Sequence, residues 1–404
     1  MDRSFRFNDS IINEGDEDFE TSLALAYKSS VRPVCICRTP GLEMYIARLA
    51  DGFCVKRMPG SGGKHHPDCE SYELPKGLSG RGEISSRSIV NDDETGKIRL
   101  KLNFSLQKKA QALNSNLGDS KGDAESNVVA TAAESKLTMR SLLHYLYEEA
   151  GLNKWSPKME GKRSWYIVRK YLMEAMSNTI VKKLPLETVS YIPESFKLEK
   201  KDEQAVLRKK YLSSLDSISG PGKQQLGFII GEFKEISESR HGYLIRVKHM
   251  PDMPLYANKG LVKQLNKNFG HYLATFEECS DVHLLLIAGV LPSASGAANV
   301  ESISMMLVDK RWIPFDDYEE REVINYAVNS NRRFIKSLKY NLGKREIISN
   351  LVLTDLEEPV VVYVANVDTS EDEREKIDEL MEDNEYKSCL VDMESTCSIS
   401  LPSR

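Results

Sequence analysis

The amino-acid sequence predicts an α+β protein built from more than one domain. Short alternating runs broken by Gly, Pro and Asp, such as "EMYIARLA" and "GFCVKRM", indicate small antiparallel strands near the N-terminus. Apolar residues spaced by three and four along the middle of the chain indicate helices. Strand-like and helical segments then alternate towards the C-terminus, which is typical of a mixed α/β domain.

Chain length sets the expected number of domains. With 404 residues the chain is too long for one ordinary core, so two or three folded domains are expected. The segment "QKKAQALNSNLGDSKGDAESNVVATAAE" has few bulky side chains and is predicted to be a linker. The predicted division is an acidic flexible tail (1–29), a zinc-binding β-rich module (30–106), the linker (107–135), a basic helical domain (136–222), a mixed α/β domain (223–385) and a flexible C-terminal tail (386–404).

Three helices are predicted in the basic helical domain. Thr138 can cap the first, and Gly151 is a typical stop after its apolar stripe. The second should cover about 162–183, and the third, highly charged helix about 200–215. With the strand-like run "ETVSYIP", these helices allow a helix-turn-helix or winged-helix unit.

The mixed α/β domain is predicted to begin with a β-hairpin. "QQLGFIIGEFKEI" and "GYLIRVKHM" flank the turn "SESRHG". The elements expected after it are a helix near 260–276, two strands, a helix over 316–330, three strands and an acidic helix over 370–384.

Charge is distributed unevenly around a net value of −5. Residues 1–20 carry seven acids against two bases, residues 355–394 carry fifteen against three, and residues 136–183 carry ten bases against four acids. A basic centre suits a surface that faces nucleic acid, but it also suits ordinary solvated faces. The apolar runs are too short to cross a membrane and no secretory signal is evident, so we predict a cytoplasmic protein with reduced thiols.

Cysteine and histidine concentrate near the N-terminus. A Cys-x-Cys step is followed, after 27 intervening residues, by "HHPDC". Thiolate and imidazole ligands at such spacing favour a closed, structural zinc site over plain packing of buried thiols or redox chemistry. The predicted Zn²⁺ ligands are Cys35, Cys37, Cys69 and one of His65 and His66. Cys54 lies in a strand-like run and is left out of the set.

A candidate nucleic-acid surface lies on the second predicted helix. Lys162, Arg163, Tyr166 and Lys170 should occupy one side of it, next to the apolar stripe. The cations would neutralise phosphates, and the tyrosine would add a hydrogen bond or a stacking contact. The alternative is an ordinary helical bundle with a solvated polar face.

The helix, three strands and helix after Trp312 also fit a degenerate restriction-endonuclease-like fold. Such an enzyme needs an acid on the helix, an acid entering the second strand and an acid-x-Lys on the third, to hold a divalent ion. Glu319, Glu320 and Glu322 meet the first need. The other positions hold Asn350 and the valines 361, 362 and 364, so no catalytic residue is assigned, and no small-molecule cofactor is evident.

Several longer strings resemble a known bacterial family, catalogued as domain of unknown function 1173. They are "RPVCICRTPGLEMYIARL", "VKRMPGSGGKHHPDCESYELP", "RSLLHYLYEEAGLNKWSPKMEGKRSW", "YIPESF", "RWIPFDDYEE" and "RRFIKSLKYNL". The resemblance implies a home on integrative and conjugative elements and plasmids, and it marks the cysteine and histidine pattern as recurring. It implies no activity.

These features lead to three hypotheses for function. The first is a zinc-stabilised, DNA-associated accessory protein of a conjugative or integrative mobile element, without catalysis of its own. The second is a metal-dependent nuclease of restriction-endonuclease type. The third is a non-catalytic component that binds other element-encoded proteins through its charged ends.

Overall fold

The computed structural model describes residues 3–49, 52–58, 60–84, 88–91, 97–109, 136–219, 222–240, 242–293, 296–340, 347–394 and 399–403. It confirms a mixed α+β protein. The helices are α1 Phe19–Lys28, α2 Met139–Glu149, α3 Trp165–Ser177, α4 Lys201–Ile218, α5 Lys259–Glu278, α6 Tyr318–Asn329 and α7 Glu371–Glu382. The predicted linker lies outside the described residues from position 110 onward.

Strands are numbered in chain order. Those before α2 are β1 Ser4–Phe7, β2 Ser10–Asn13, β3 Val34–Cys35, β4 Leu42–Leu49, β5 Gly52–Arg57, β6 Ile89–Asn91, β7 Ile98–Leu100 and β8 Gln107–Lys109. Those from α2 to α5 are β9 Lys154–Trp155, β10 Thr179–Val181, β11 Leu184–Pro185, β12 Ser190–Tyr191, β13 Lys223–Gln225, β14 Gly227–Ser239, β15 Gly242–Val247 and β16 Leu255–Ala257. The last are β17 Val282–Pro292, β18 Ala298–Asp309, β19 Pro314–Phe315, β20 Phe334–Lys336, β21 Leu351–Leu353, β22 Val360–Ala365 and β23 Lys387–Asp392.

An N-terminal sheet has the strand order β2-β1-β3-β4-β5. Phe5 and Phe7 alternate inward on β1 and pack with Phe19 and Leu23 of α1 in a small core. Residues 1–29 were predicted to be a flexible tail, and this is wrong for the described part from residue 3. The prediction relied on the acidic composition of the segment and overlooked the apolar side chains that this core buries.

The second of the three middle helices is shorter than its periodicity suggested. The cap from Thr138 to the amide of Ser141 confirms the predicted start of α2. The second helix, expected over 162–183, covers only Trp165–Ser177. From Thr179 the chain becomes β10, which pairs with β7. This long-range pairing overrides a pattern that continues the helical spacing through Ile180.

The strands of residues 227–309 close into a barrel. β14 pairs with β17 through Gly227–Glu232 and with β15 through Phe233–Ser239, and the second pairing shifts in register between Phe233 and Glu235. β15 pairs with β16, β16 runs parallel to β18, and β18 returns to β17. This closure joins the predicted hairpin to the two predicted strands that follow α5.

The C-terminal sheet has the order β23-β22-β21-β20-β9. Three strands form an antiparallel meander, α7 crosses over, and β23 runs parallel to β22. Residues 386–404 were predicted to be a flexible tail, and this is wrong for Lys387–Asp392, which form β23. β9 comes from the predicted basic helical domain, so backbone pairing crosses one of the predicted boundaries.

Candidate metal centre

Turns near the N-terminal sheet place four potential ligands together. Cys35 ends β3, and Cys37 lies two residues further on. His65 follows a single 3-10 turn at Gly62–Lys64, and Cys69 follows a second turn in which its amide donates to the carbonyl of His66. The Cys-x-Cys step and the His-x-x-x-Cys step therefore face each other, as the spacing predicted.

The distances between ligand atoms fit one small ion. All four atoms lie within 4.8 Å of one another. Cys35 Sγ is 3.7 Å from Cys69 Sγ, and His65 Nδ1 is 3.3 Å from Cys37 Sγ and 3.7 Å from Cys69 Sγ. A tetrahedron with metal–sulfur bonds of about 2.3 Å has edges of about 3.8 Å. The measured distances between ligand atoms are therefore close to the edge lengths of a coordination tetrahedron.

The protonation of the thiols depends on their mutual contact. The hydrogen bond between the two sulfurs lowers the pKa of Cys69 and raises the pKa of Cys35, so Cys69 ionises first. Burial raises the pKa of Cys37. Ionising all three neighbouring thiols is unfavourable, because the three negative charges repel one another. A bound cation compensates these charges and makes the triply ionised state favourable.

The geometry decides which of the two adjacent histidines can be a ligand. His65 is buried within the cluster, whereas the Nδ1 of His66 accepts the amide of Asp68 and lies outside it. Cys54 lies on β5 opposite Ala47, also outside the cluster. His66, predicted as an alternative ligand, is therefore not a member of the set.

The predicted nucleic-acid residues are only partly on one surface. Tyr166 and Lys170 are exposed on α3, and Lys162 is exposed just before it. Arg163 also precedes the helix, and its guanidinium donates to the carbonyls of Leu152 and Lys154. Arg163 therefore lies before the helix and not on its face, because α3 begins at Trp165, three residues later than the predicted start at position 162.

One candidate acid of the nuclease hypothesis, Glu320, is buried in an ion pair. Glu320 is 1% exposed, and its Oε1 lies 2.9 Å from Lys336 Nζ and 2.7 Å from Asn350 Nδ2. Its Oε2 accepts the amide of Asp316. The helix and the first two strands thus bring three polar groups together, but they form a closed ion pair in which protein donors occupy both carboxylate oxygens.

Two histidines that belong to no recognisable sequence motif make organised contacts. His283 Nδ1 lies 2.6 Å from Glu232 Oε1, a carboxylate that also pairs with Lys248. The imidazole stacks on Trp312 with ring centroids 4.4 Å apart. His249 stacks on Trp165, which in turn contacts Trp312. These partners are distant in sequence, so no spacing rule could have found them.

Comparisons with known proteins place the chain in one family. No curated protein matches it. In the described part of the chain, every helix is too short or too polar to span a bilayer. The model of the family described as "Protein of unknown function (DUF1173)" matches residues 5–391. That match covers the metal cluster, the barrel and the C-terminal sheet, and it shows that the chain belongs to this family.

Proposed function

We propose that this protein is a zinc-stabilised, DNA-associated accessory protein of a mobile element, acting in the cytoplasm without catalysis of its own. The observation that carries the proposal furthest is the tetrahedral spacing of Cys35, Cys37, His65 and Cys69. Three thiolates and one imidazole are typical of structural zinc sites. Since protein side chains fill all four positions, the ion has no open position for a substrate.

The basic surface of α3 supports the DNA part of the proposal. Lys162, Tyr166 and Lys170 are exposed along one side. β10 and β11 form a short hairpin after the helix, with Lys182 and Lys183 exposed at its tip. A helix followed by a basic hairpin supplies the parts of a winged-helix unit, in which both elements contact phosphates. The mobile-element part comes from the family resemblance.

The zinc proposal is tested by metal analysis of protein purified without chelator. We expect about one zinc per chain, with little iron, because thiolate–imidazole tetrahedra select zinc. Cys69→Ser should lose the metal, since three ligands hold it weakly. Cys54→Ser is the matched control and should keep it. Stoichiometric zinc in Cys69→Ser, or none in the wild type, contradicts the proposal.

The DNA proposal is tested by affinity across a salt series. Each lost phosphate contact lowers the salt slope by about one unit, so Lys162→Glu with Lys170→Glu should lower it by about two. Lys28→Glu with Lys376→Glu makes the same charge change on exposed lysines of α1 and α7 and should leave the slope unchanged. Equal slopes for both double variants, or a wild type that binds no DNA at low salt, contradict the proposal.

Two other functions are separated by simple assays. A nuclease would cut single- or double-stranded DNA with Mg²⁺ or Mn²⁺ and would stop doing so in Glu320→Gln. We expect no cleavage, because donors already occupy both oxygens of Glu320. A protein-interaction component would bind other element-encoded proteins and would show no salt-dependent DNA affinity.

A further inference from the structure

The strand order of the barrel carries an inference about the form of the nucleic acid. Numbered one to five along the chain, the strands are β14, β15, β16, β17 and β18. Around the barrel they follow the order 1-2-3-5-4, with strand 4 returning to strand 1. Strand 3 is parallel to strand 5, and α5 lies between strands 3 and 4.

This arrangement matches five-stranded Greek-key barrels that bind oligonucleotides or oligosaccharides. In those barrels the ligand lies across strands 2 and 3, near the loop between strands 1 and 2 and the loop between strands 4 and 5. The first strand here is long, and its two halves pair with different neighbours. A register shift between Phe233 and Glu235 bends the strand, and this bend lets a small barrel close. A fold does not by itself define a ligand, so the surface of β15 and β16 has to carry the inference.

That surface presents an aromatic ring to solvent. Tyr256 on β16 lies opposite Leu244 on β15 and is 44% exposed. The adjacent pair, Leu255 and Ile245, points into the barrel and is fully buried. The alternation of the strands therefore directs Tyr256 outward, where solvent reaches its side chain.

The charges around this surface favour a polyanion. Residues 227–270 carry seven bases and four acids. Two of the acids, Glu232 and Asp252, are paired with Lys248 and Arg208. The exposed bases near the two strands and on α5 are Lys234, Arg240, Lys259, Lys263 and Lys267.

We infer that single-stranded nucleic acid binds across β15 and β16, with a base stacked on Tyr256 and its phosphates near these lysines and Arg240. An exposed aromatic ring among cations recognises unpaired bases, whereas a duplex hides its base faces. The inference rests on the proposed DNA association. It adds the form of the nucleic acid and a binding surface separate from α3.

The test compares a labelled oligothymidylate of about 20 nucleotides with a duplex of the same length, using the zinc-loaded full chain at low salt. We expect the single strand to bind more tightly than the duplex. Tyr256→Ala should weaken binding of the single strand about tenfold, the usual effect of losing one stacked base. Tyr256→Phe should keep the affinity, because it keeps the ring. Tyr318→Ala removes a tyrosine on α6 that is 62% exposed and should have no effect.

The outcomes distinguish this inference from the proposed function. Duplex binding that equals or exceeds single-strand binding overturns the inference but leaves DNA association intact. Full single-strand affinity in Tyr256→Ala, with the native thermal unfolding temperature, also overturns it. If neither probe binds the wild type, the proposed DNA association fails as well.

Discussion

At the scale of single residues, the metal centre depends on which of two adjacent histidines turns inward. The chain after Gly62–Lys64 buries His65 beside Cys37 and Cys69, while the backbone of Asp68 occupies the Nδ1 of His66. Substituting one histidine should therefore have a different effect from substituting the other, although the two are neighbours in sequence.

We predict that His65→Ala loses most of its zinc and that His66→Ala retains about one ion per chain. Three thiolates alone hold the ion less tightly, and structural zinc stabilises the fold around it. Metal content and thermal unfolding of the two variants provide the measurement. Equal zinc content in both would show that His65 is not a ligand.

A second residue-scale prediction concerns the buried pair of Glu320 and Lys336. Lys336→Met leaves a buried carboxylate without its cation and should cost about 3–5 kcal/mol of unfolding free energy. Glu320→Gln with Lys336→Met removes both charges and should recover most of that loss. Denaturant unfolding of the single and double variants measures the coupling. Additive losses would show that the two side chains do not depend on each other.

At the scale of elements, α2 connects several parts of the molecule. Its residues Arg140 and Ser141 donate to the carbonyls of Lys339 and Tyr340, and Tyr147 donates to the carbonyl of Trp312. α2 also contacts β17 and β18 of the barrel. Destabilising the N-terminus of α2 should therefore lower the free energy of unfolding of the whole protein.

Thr138→Ala should lower the free energy of unfolding by about 1 kcal/mol. The threonine hydroxyl accepts a hydrogen bond from the amide of Ser141, and alanine removes this capping acceptor. Thr138→Ser keeps a hydroxyl at the cap and should stay near the wild type. Chemical denaturation compares the three proteins, and a Thr138→Ala value equal to that of the wild type would contradict the role of the cap.

At the scale of the whole molecule, the N-terminal residues are docked on the C-terminal sheet. Tyr72, Leu74 and Leu78 share a core with residues of β20, β21 and β22. Lys154 donates to the carbonyls of Glu70 and Tyr72, just after the last metal ligand. Arg333 pairs with Asp68 at 3.2 Å. Metal binding and the packing of the C-terminal sheet are therefore physically linked.

A partly buried ionic network, with side chains 10–25% exposed, makes a second connection. Arg57, Glu73 and Arg81 of the N-terminal part meet Glu148 and Glu149 at the end of α2. Burial alone would raise the pKa of Glu149, but the charges of Arg81 and Arg57 outweigh it and hold that pKa below its ordinary value of 4.5. The carboxylate thus contributes stability above about pH 4.5, and this contribution is lost as the pH falls through the lowered pKa.

We predict that Glu149→Gln lowers the free energy of unfolding by about 3 kcal/mol at neutral pH, because it leaves two partly buried arginines without their carboxylate. The difference from the wild type should narrow as the pH falls below about 4.5. Glu43→Gln removes an exposed carboxylate paired with Arg32 and should cost well under 1 kcal/mol. Unfolding measured from pH 7 to pH 3 provides the comparison. A difference that does not change with pH would contradict the predicted ionisation.

Features that depend on local spacing could be predicted from the sequence. The Cys-x-Cys and His-x-x-x-Cys steps, the Thr138 cap and the hairpin of β14 and β15 are all set within a few residues. Hydrogen bonding and side-chain periodicity act over the same short range, so these features can be read from the chain.

Features that join distant segments could not be predicted from local spacing and follow from the three-dimensional fold. These are the choice of His65 over His66, the engagement of Arg163 by two carbonyls, the closure of the barrel through β14 and β17, and the pairing of Glu320 with Lys336. Each depends on where a partner far along the chain comes to lie. Burial and long-range pairing outweigh local preference at these positions, because the free energy of forming the shared core is larger than that of any single helical turn.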